Sequence, residues 1–193
     1  EISTQRLPIV QKDLIFQANR LGKLVITATQ MLESMINNPR PTRAEISDVA
    51  NAIYDGTSAI MLSGETSIGK YPVDVVKTMA TIAKKTEQDI NYVKRFESEA
   101  QVHLPTATNA ISHATCTTAI DWGATAILTV TKSGETARMI SKYRPVCPII
   151  ACTPSMKTYY QLALSWGVVP LTIEEVTSTD ELFERATSEA VKE

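Results

Sequence analysis

Residues 24–66 read LVITATQMLESMINNPRPTRAEISDVANAIYDGTSAIMLSGET, and this stretch decides the fold. It opens with a short apolar run rich in β-branched residues, which predicts a strand buried on both faces. After the Pro-Arg-Pro break, Thr42 and Glu45 have the spacing of a capping box, so we expect a helix to begin there. The run SAIMLSGET then predicts a second strand and the loop that follows it. The stretch therefore predicts strand, helix and strand joined by short connections.

Helical patterns flank this stretch on both sides. The segment from Pro8 to Leu21 is amphipathic, and another helix is predicted to open at Pro72. Such alternation is typical of parallel strands with helices packed outside them, either in an open doubly wound sheet or in part of a (β/α)8 barrel. In both architectures the functional side chains lie at the carboxyl ends of the strands.

The pattern lapses across residues 91–108, which are charged, weakly periodic and interrupted by Pro105. We therefore predict a domain boundary near Ile90. Beyond it, helices and short strands alternate again, which predicts a separate three-layer α/β domain with three parallel strands. The expected helices span residues 108–123, 135–145, 155–167 and 177–193, and the expected strands span residues 124–131, 147–153 and 168–173.

Composition narrows the function classes. The chain is 44% hydrophobic and 21% charged, as soluble globular chains are, and its net charge of -2 offers no basic footprint for nucleic acid or an anionic membrane. The three cysteines lack metal-ligand spacing, so we expect buried free thiols, a reducing cytoplasm and no metal site. No signal peptide or membrane span is evident. The chain enters a helical pattern without an initial Met, from which we expect a fragment.

Polar side chains follow the two strands of the opening stretch. Thr29 and Gln30 end the first strand, where a hydroxyl and an amide can contact a substrate oxyanion or carbonyl. Ser63 and Glu65 follow the second strand. The alternative for Thr29 is a strand threonine bonded to the backbone, and for Glu65 it is a helix cap or an arginine partner. Spacing alone does not decide between these readings.

A second polar loop, TVTKSGETAR, follows the first strand of the second half. Free N–H groups at a helix start, small hydroxyls and Lys132 together suit a phosphate group, although the loop lacks the P-loop and dinucleotide-binding patterns. The alternative is an ordinary helix cap. Arg40 lies between the two prolines of the stiff Pro-Arg-Pro segment, and Arg43 follows that segment. Both guanidiniums suit paired hydrogen bonds to a carboxylate or a phosphate, with solvated or interface arginines as the alternative. Trp122 and Trp166 each precede a glycine and are interpreted as packing residues.

These residues carry a family resemblance. The run ITATQMLESMINNPRPTRAEISDVANAIYDGTSAIMLSGETSIGKYP closely resembles the last two βα units of the pyruvate kinase barrel, and ILTVTKSGETARMISKYRPVCPIIACT resembles the C-terminal domain of the same family. The resemblance implies that residues 1–89 are the C-terminal portion of a catalytic (β/α)8 barrel. Residues 90–193 would then be the effector-binding α/β domain, truncated at its end.

The resemblance also implies roles for particular residues. Thr29 would contact phosphoenolpyruvate or pyruvate and help to protonate the enolate, with Gln30, Ser63 and Glu65 near the substrate or nucleotide. Arg40 and Arg43 would lie at a contact between subunits of a homotetramer. The loop that would hold a sugar-phosphate or AMP effector comprises Thr131, Lys132, Ser133, Gly134 and Thr136. Glu135 stands where some fructose-1,6-bisphosphate-activated members have an arginine, and Ile68 stands where many members have a lysine near the nucleotide.

The resemblance places other parts of the site outside this chain. The parent enzyme would transfer a phosphoryl group from phosphoenolpyruvate to ADP in glycolysis and use Mg²⁺ and K⁺. Its catalytic lysine and its metal ligands would precede residue 1, so we expect the chain alone to be inactive. The alternatives are a non-enzymatic module that binds a phosphate effector and a fragment that contributes to tetramer assembly.

Overall fold

The computed structural model describes residues 3–99, 105–174 and 179–191. Its internal contacts divide the chain into two compact units, Glu1–Ile90 and Asn91–Glu193. Each unit has its own hydrophobic core, so each is described by itself. Among the described residues, no helix combines the length and the apolar character that a membrane crossing needs.

The first unit alternates helices with two short parallel strands. Strands β1 and β2 pair in register, with Ile26 opposite Ala59 and Ala28 opposite Met61. The predicted capping box at the start of the second long helix is confirmed, because Thr42 and Glu45 exchange backbone and side-chain hydrogen bonds. Its helices and strands are α1 Leu7–Arg20, β1 Ile26–Ala28, α2 Arg43–Tyr54, β2 Ala59–Met61, α3 Gly64–Ser67 and α4 Pro72–Asp89, with 3-10 turns at Thr4–Arg6 and Glu33–Ile36.

The core of the first unit lies between α2, α4 and the segment that follows β1. Helix α2 buries Val49, Ala52 and Ile53, and α4 buries Val75 and Met79 at a spacing of four residues, as amphipathic helices do. The segment after β1 contributes three fully or nearly fully buried side chains, namely Met31, Leu32 and Met35. The polar strand end is therefore followed at once by apolar anchors.

The second unit contains a three-stranded parallel sheet in the order β3-β4-β5, as predicted. Gly123 ends its first long helix at φ +66°, a left-handed cap that glycine adopts without strain. The elements are α5 Tyr92–Glu99, α6 Ala107–Trp122, β3 Ile127–Val130, α7 Glu135–Lys142, β4 Ile149–Thr153, α8 Met156–Leu162, β5 Val168–Thr172 and α9 Thr179–Ala190.

Both faces of this sheet are covered, because successive residues of a strand point to opposite faces. Ile127 and Ile149 lie in one cluster with residues of α6 and α7. Cys152 lies in another with Ala186 of α9, against which Leu128 and Ile150 pack. Helices thus lie on the two sides of the sheet, which confirms the three-layer arrangement.

Three local expectations were wrong or incomplete. Residues 92–99 form helix α5, although their pattern is weakly periodic; Asn91 accepts a hydrogen bond from the Lys94 N–H, and Phe96 provides the buried contact. Trp122 was expected to pack but is 84% exposed. Strand β1 was expected to be buried on both faces, yet Ile26 is half exposed, because the described part of the sheet pairs β1 only with β2.

The cysteines agree with the expectation of free thiols. Cys116 and Cys152 are buried, Cys147 is half-buried, and none forms a disulfide. Burial raises the pKa of all three, that of Cys116 to about 12. These thiols are therefore protonated and weakly nucleophilic at neutral pH.

Candidate functional site

The turn after β1 has an unusual backbone. Thr29 and Gln30 have φ angles of +71° and +53°, in the left-handed region that non-glycine residues rarely adopt. Each such residue costs roughly 1–3 kcal/mol and persists only where its surroundings impose it. Both side chains are exposed, and the Thr29 hydroxyl donates to the Ala28 carbonyl at 2.6 Å. The strand end therefore presents a hydroxyl and an amide to solvent.

A cavity of about 470 Å³ opens beside this turn. Its polar wall includes residues of α1 and α2, and Lys12 of α1 forms an ion pair with Asp55, the residue that follows α2. Thr29 and Gln30 both line the cavity, together with Gln11. Thr29 and Gln30, which the sequence analysis singled out, thus line one concave surface, and ligand sites are commonly concave.

Glu65 joins the two strand-end loops of the first unit. It is 2% exposed, and its carboxylate accepts from the Leu32 N–H at 3.1 Å and from the Ser63 N–H at 2.7 Å. Burial by itself would raise the pKa of Glu65, but these N–H groups and its own backbone N–H hold the pKa below its ordinary value. The carboxylate of Glu65 therefore bridges two strand-end loops, which is neither the arginine pair nor the simple helix cap that the sequence analysis gave as alternatives. Ser63 is half-buried at the start of α3.

A second carboxylate holds the segment that carries the arginines. Glu45 accepts from the N–H and the hydroxyl of Ser34 at 2.7 and 2.6 Å, and from the N–H and the hydroxyl of Thr42 at 2.7 and 2.9 Å. Burial raises its pKa, but the bonds from Ser34 and Thr42 outweigh burial, so the pKa lies below the ordinary value. Arg40 and Arg43 are exposed, and among the described residues neither guanidinium has a hydrogen bond or ion pair.

The polar loop after β3 is built on an internal hydrogen bond. The buried Thr131 hydroxyl accepts from the Gly134 N–H at 2.9 Å, and Gly134 has a φ of +80°. Lys132, Ser133 and Thr136 are exposed. Among the described residues, the backbone N–H groups of Ser133 and Thr136 donate to no protein acceptor, as is usual where a helix begins. The five predicted effector residues thus lie together at one strand end and helix start.

Two side chains that the sequence analysis missed hold this loop in place. Thr158 of α8 donates its hydroxyl to the Lys132 carbonyl at 2.8 Å, and Arg138 of α7 donates to the Ser133 carbonyl at 3.0 Å. Arg138 lies four residues beyond Gly134, one helical turn into α7, so helical spacing was an available signal for it. Thr158 is distant in sequence, and only the packing of α8 beside β4 brings it to the loop.

The described residues do not fit a Mg²⁺ site made of protein carboxylates. No three His, Cys, Asp or Glu side chains lie close enough together in the described ranges to hold a metal ion. Mg²⁺ needs free carboxylate oxygens, and the buried Glu65 gives both of its oxygens to backbone N–H groups. We therefore derive no step through Mg²⁺ or K⁺.

Parallel βα units with polar strand ends, together with a separate three-layer domain, define an α/β protein with two domains. Residues 1–76 match the family model described as "Pyruvate kinase, barrel domain", and residues 109–193 match "Pyruvate kinase, alpha/beta domain". The chain belongs to the pyruvate kinase family. The predicted fold class is thereby confirmed.

Individual relatives agree with this family. The chain is 52% identical over 192 residues to a pyruvate kinase of Clostridium acetobutylicum, covering 100% of this chain and 41% of that protein. It is 50% identical to one of Bacillus licheniformis, covering 99% of this chain and 33% of that protein. A crystal structure of a pyruvate kinase from Cryptosporidium parvum matches with a TM-score of 0.94 and 38% identity, over 100% of this chain and 39% of that one. The chain thus spans well under half the length of these relatives.

Proposed function

We propose that this chain is part of a longer enzyme, called the parent below, that transfers a phosphoryl group from phosphoenolpyruvate to ADP in glycolysis. The observation that carries this proposal is that both units match models of one enzyme family. The sequence is also 52% identical to that of an individual pyruvate kinase. In the reaction, the bond between phosphorus and the enol oxygen breaks, and a terminal phosphate oxygen of ADP forms the new bond. The enolate that remains then takes a proton at its methylene carbon and becomes pyruvate.

In this proposal Thr29 is the catalytic residue of the chain. Its exposed hydroxyl, at the carboxyl end of β1 and on the wall of a polar cavity, is suited to contact the substrate and to help move a proton to the enolate. Gln30 and Ser63 are proposed to lie near the substrate or nucleotide, since they occupy the ends of the two neighbouring strands. Glu65 is proposed to lie in the same region, because its carboxylate accepts hydrogen bonds from the backbone of both strand-end loops.

We infer that the chain by itself does not catalyse the reaction. The described residues provide no metal-binding cluster, and phosphoryl transfer depends on cations that neutralise the phosphates. Mg²⁺ and K⁺ are proposed as cofactors of the parent, held by residues outside the described part of this chain. A cytoplasmic location is proposed for the parent because all three thiols are free.

Two assays test the proposal. The parent, purified in full length, is expected to form pyruvate from phosphoenolpyruvate and ADP in the presence of Mg²⁺ and K⁺. The chain of residues 1–193, prepared from a host that lacks its own pyruvate kinase, is expected to form none. A parent without turnover would contradict the proposed reaction, and an active chain would contradict the inferred dependence on residues outside it.

The loop after β3 is proposed to bind a phosphate effector such as a sugar phosphate or AMP. The support is the exposed Lys132 together with the N–H groups of Ser133 and Thr136, which have no acceptor in the part of the chain that the structure describes. Glu135, exposed in the first turn of α7, opposes an anion there. We therefore expect a weaker site than in members that carry an arginine at that position.

Titration calorimetry on the parent tests this site with fructose 1,6-bisphosphate, AMP and inorganic phosphate. Lys132→Ala is expected to weaken binding by about tenfold, since one charge-assisted contact is lost. Lys94→Ala, an exposed lysine on α5, is the matched control and is expected to leave binding unchanged. Absence of heat with all the compounds would contradict the effector site.

The segment with Arg40 and Arg43 is proposed as a subunit contact of a homotetramer. Both guanidiniums are exposed without partners among the described residues, while Glu45 holds the segment in a defined conformation. A charge reversal at both positions is expected to lower the sedimentation mass of the parent. An unchanged assembly would contradict the contact.

A further inference from the structure

The left-handed turn at Thr29 needs contacts that hold it, because an isolated chain would relax two successive positive φ angles. Before the turn, β1 is short and pairs with β2 along three residues. Among the residues that the structure describes, the Thr29 hydroxyl bonds only to the adjacent carbonyl, which moves with it. The restraint must therefore come from the residues that follow the turn.

Those residues are fixed by two kinds of contact. Met31 and Leu32 are 4% and 0% exposed and belong to the core between α2 and α4. The Leu32 N–H, three residues after Thr29, donates to the buried Glu65 carboxylate at 3.1 Å. Apolar side chains resist removal from the core but permit sliding and rotation, whereas a hydrogen bond to a fixed carboxylate sets the backbone orientation.

The carboxylate itself is fixed by its own loop. Its second oxygen accepts from the Ser63 N–H at 2.7 Å, and Glu65 lies in the helical turn α3 directly after β2. Because β1 and β2 are neighbours in a parallel pair, one buried side chain joins their two carboxyl-terminal loops. Burial excludes the water that would otherwise compete for these N–H groups. The N–H donors also keep the pKa of Glu65 below its ordinary value, so the carboxylate is ionised at neutral pH.

We propose that Glu65 is a positioning residue for Thr29: by bridging the Leu32 and Ser63 N–H groups, its carboxylate holds the left-handed turn that directs the Thr29 hydroxyl toward the substrate. This inference rests on the proposed function, since it concerns the proton transfer to the enolate. Glu65 takes no proton and touches no substrate in this role. Its effect on the reaction runs entirely through Thr29.

The test is a double-mutant cycle in the full-length parent with Glu65→Gln and Thr29→Ala. The amide of Glu65→Gln keeps the shape but turns one acceptor into a donor, so one backbone N–H loses its partner. We expect kcat to fall by about 10- to 100-fold in the presence of Thr29, and by less than about threefold when Thr29 is already alanine. The KM for ADP is expected to stay within about twofold, because the change affects a step after substrate binding.

A second readout isolates the proton step. The rate at which the parent exchanges the methyl protons of added pyruvate for deuterium in heavy water, measured by NMR with Mg²⁺ and K⁺ but without phosphoenolpyruvate or ADP, is expected to fall in parallel with kcat in Glu65→Gln. Ser67→Ala, an exposed neighbour on α3 with no side-chain hydrogen bond in the described structure, is the matched control and is expected to keep wild-type rates. Glu65→Asp retains the charge and is expected to recover part of the activity.

The outcomes distinguish a failure of this inference from a failure of the proposed function of the parent. A parent without turnover overturns both. With a working parent, equal losses for Glu65→Gln in the two backgrounds, or wild-type rates for that variant, overturn the positioning role alone. If Glu65→Gln does not fold, Glu65→Asp replaces it in the double-mutant cycle. An equal loss of activity for Glu65→Asp with and without Thr29→Ala would then overturn the positioning role.

Discussion

Thr29 and Thr131 occupy equivalent places in the two units, each at the carboxyl end of a parallel strand, yet their surroundings differ. Thr29 is exposed and lies in a left-handed turn, and within the described ranges its hydroxyl bonds only to the adjacent carbonyl. Thr131 is 6% exposed, and its hydroxyl accepts the N–H that shapes the loop after β3. One hydroxyl is available to a ligand, while the other is part of the loop itself.

The means of support differ as well. In the first unit, the buried Glu65 and the multiply bonded Glu45 hold the strand-end segments, so ionised carboxylates do the positioning. In the second unit, the loop after β3 is held by uncharged hydroxyls and a cation, namely those of Thr131, Thr158 and Arg138. The loop proposed to bind a phosphate effector is thus supported without a buried negative charge, which would repel a phosphate ligand.

The largest expected effect follows from the difference between the two threonines. Thr29→Ala is expected to lower the kcat of the parent by at least about 100-fold, because the hydroxyl is proposed to take part in proton transfer. Its free energy of unfolding should change little, since an exposed hydroxyl is lost. Thr131→Ala is expected to destabilise the second unit by about 1 kcal/mol through one buried hydrogen bond.

Coupled assays of pyruvate formation and hydrogen exchange of the α7 amides measure these two effects. Thr81→Ala, an exposed threonine on α4, is the control for Thr29→Ala. Full activity in Thr29→Ala would remove the contrast between the two strand ends.

The next effect tests how tightly the second loop is packed. A Cβ at Gly134 would lie 2.7 Å from Arg138 Nη1, 3.1 Å from Thr158 Cγ2 and 3.2 Å from Leu162 Cδ2, at a φ of +80°. Gly134→Ala is therefore expected to lower the local stability of α7 by about 2–3 kcal/mol and to abolish effector binding. Hydrogen exchange of α7 in the parent measures the loss.

Gly123 provides the matched control for this substitution. It also has a positive φ, +66°, but a Cβ there would meet no atom within 4 Å. Gly123→Ala is expected to cost only about 1 kcal/mol, the conformational term alone. Equal losses for the two variants would mean that packing around Gly134 contributes nothing to the loop.

The third effect concerns acid sensitivity. The pKa of Glu45 and that of Glu65 lie below their ordinary values, so both residues stabilise the first unit above the ordinary pKa of a glutamate. This stabilisation is lost as the pH falls through the lowered values. The strand-end amides of the first unit, such as that of Leu32, are therefore expected to lose protection on acidification before those around Thr131.

Glu45→Gln checks the cause of that difference. It is expected to cost about 1 kcal/mol at neutral pH through the weakened cap of α2 and to reduce the pH dependence of the first unit. Hydrogen exchange between neutral and acidic pH measures this pH dependence. If it is unchanged in Glu45→Gln, groups other than Glu45 cause the pH dependence of the first unit.

The smallest effect concerns the charge at the start of α7. Glu135→Gln removes an exposed carboxylate from the first turn, beside the N–H groups proposed to bind phosphate. Phosphate affinity is expected to rise by about three- to fivefold, with a larger gain at low ionic strength, since exposed charges are screened by salt. Calorimetry at two salt concentrations measures both quantities, and an unchanged affinity would place the ligand elsewhere.

Prediction from sequence succeeded where local signals agreed. The capping box of Thr42 and Glu45, the short strands and the alternation of elements all reflect interactions within a few residues, and the structure has them. Helix α5 was missed because its burial depends on Phe96, which packs against His113 and Tyr143 far along the chain. Trp122 was misjudged because a tryptophan beside a helix-ending glycine does not reveal whether a partner covers it.

The amino-acid sequence by itself determined the α/β class, the family resemblance and the candidate residues at both strand ends, because hydrophobic periodicity, caps and motifs are written in consecutive residues. Only the tertiary structure decided how those residues are used. It placed Thr29 in a left-handed turn, buried Glu65 between the Leu32 and Ser63 N–H groups, and brought Thr158 to the Lys132 carbonyl. These arrangements join segments distant in sequence, and the packing that brings them together has no local signature.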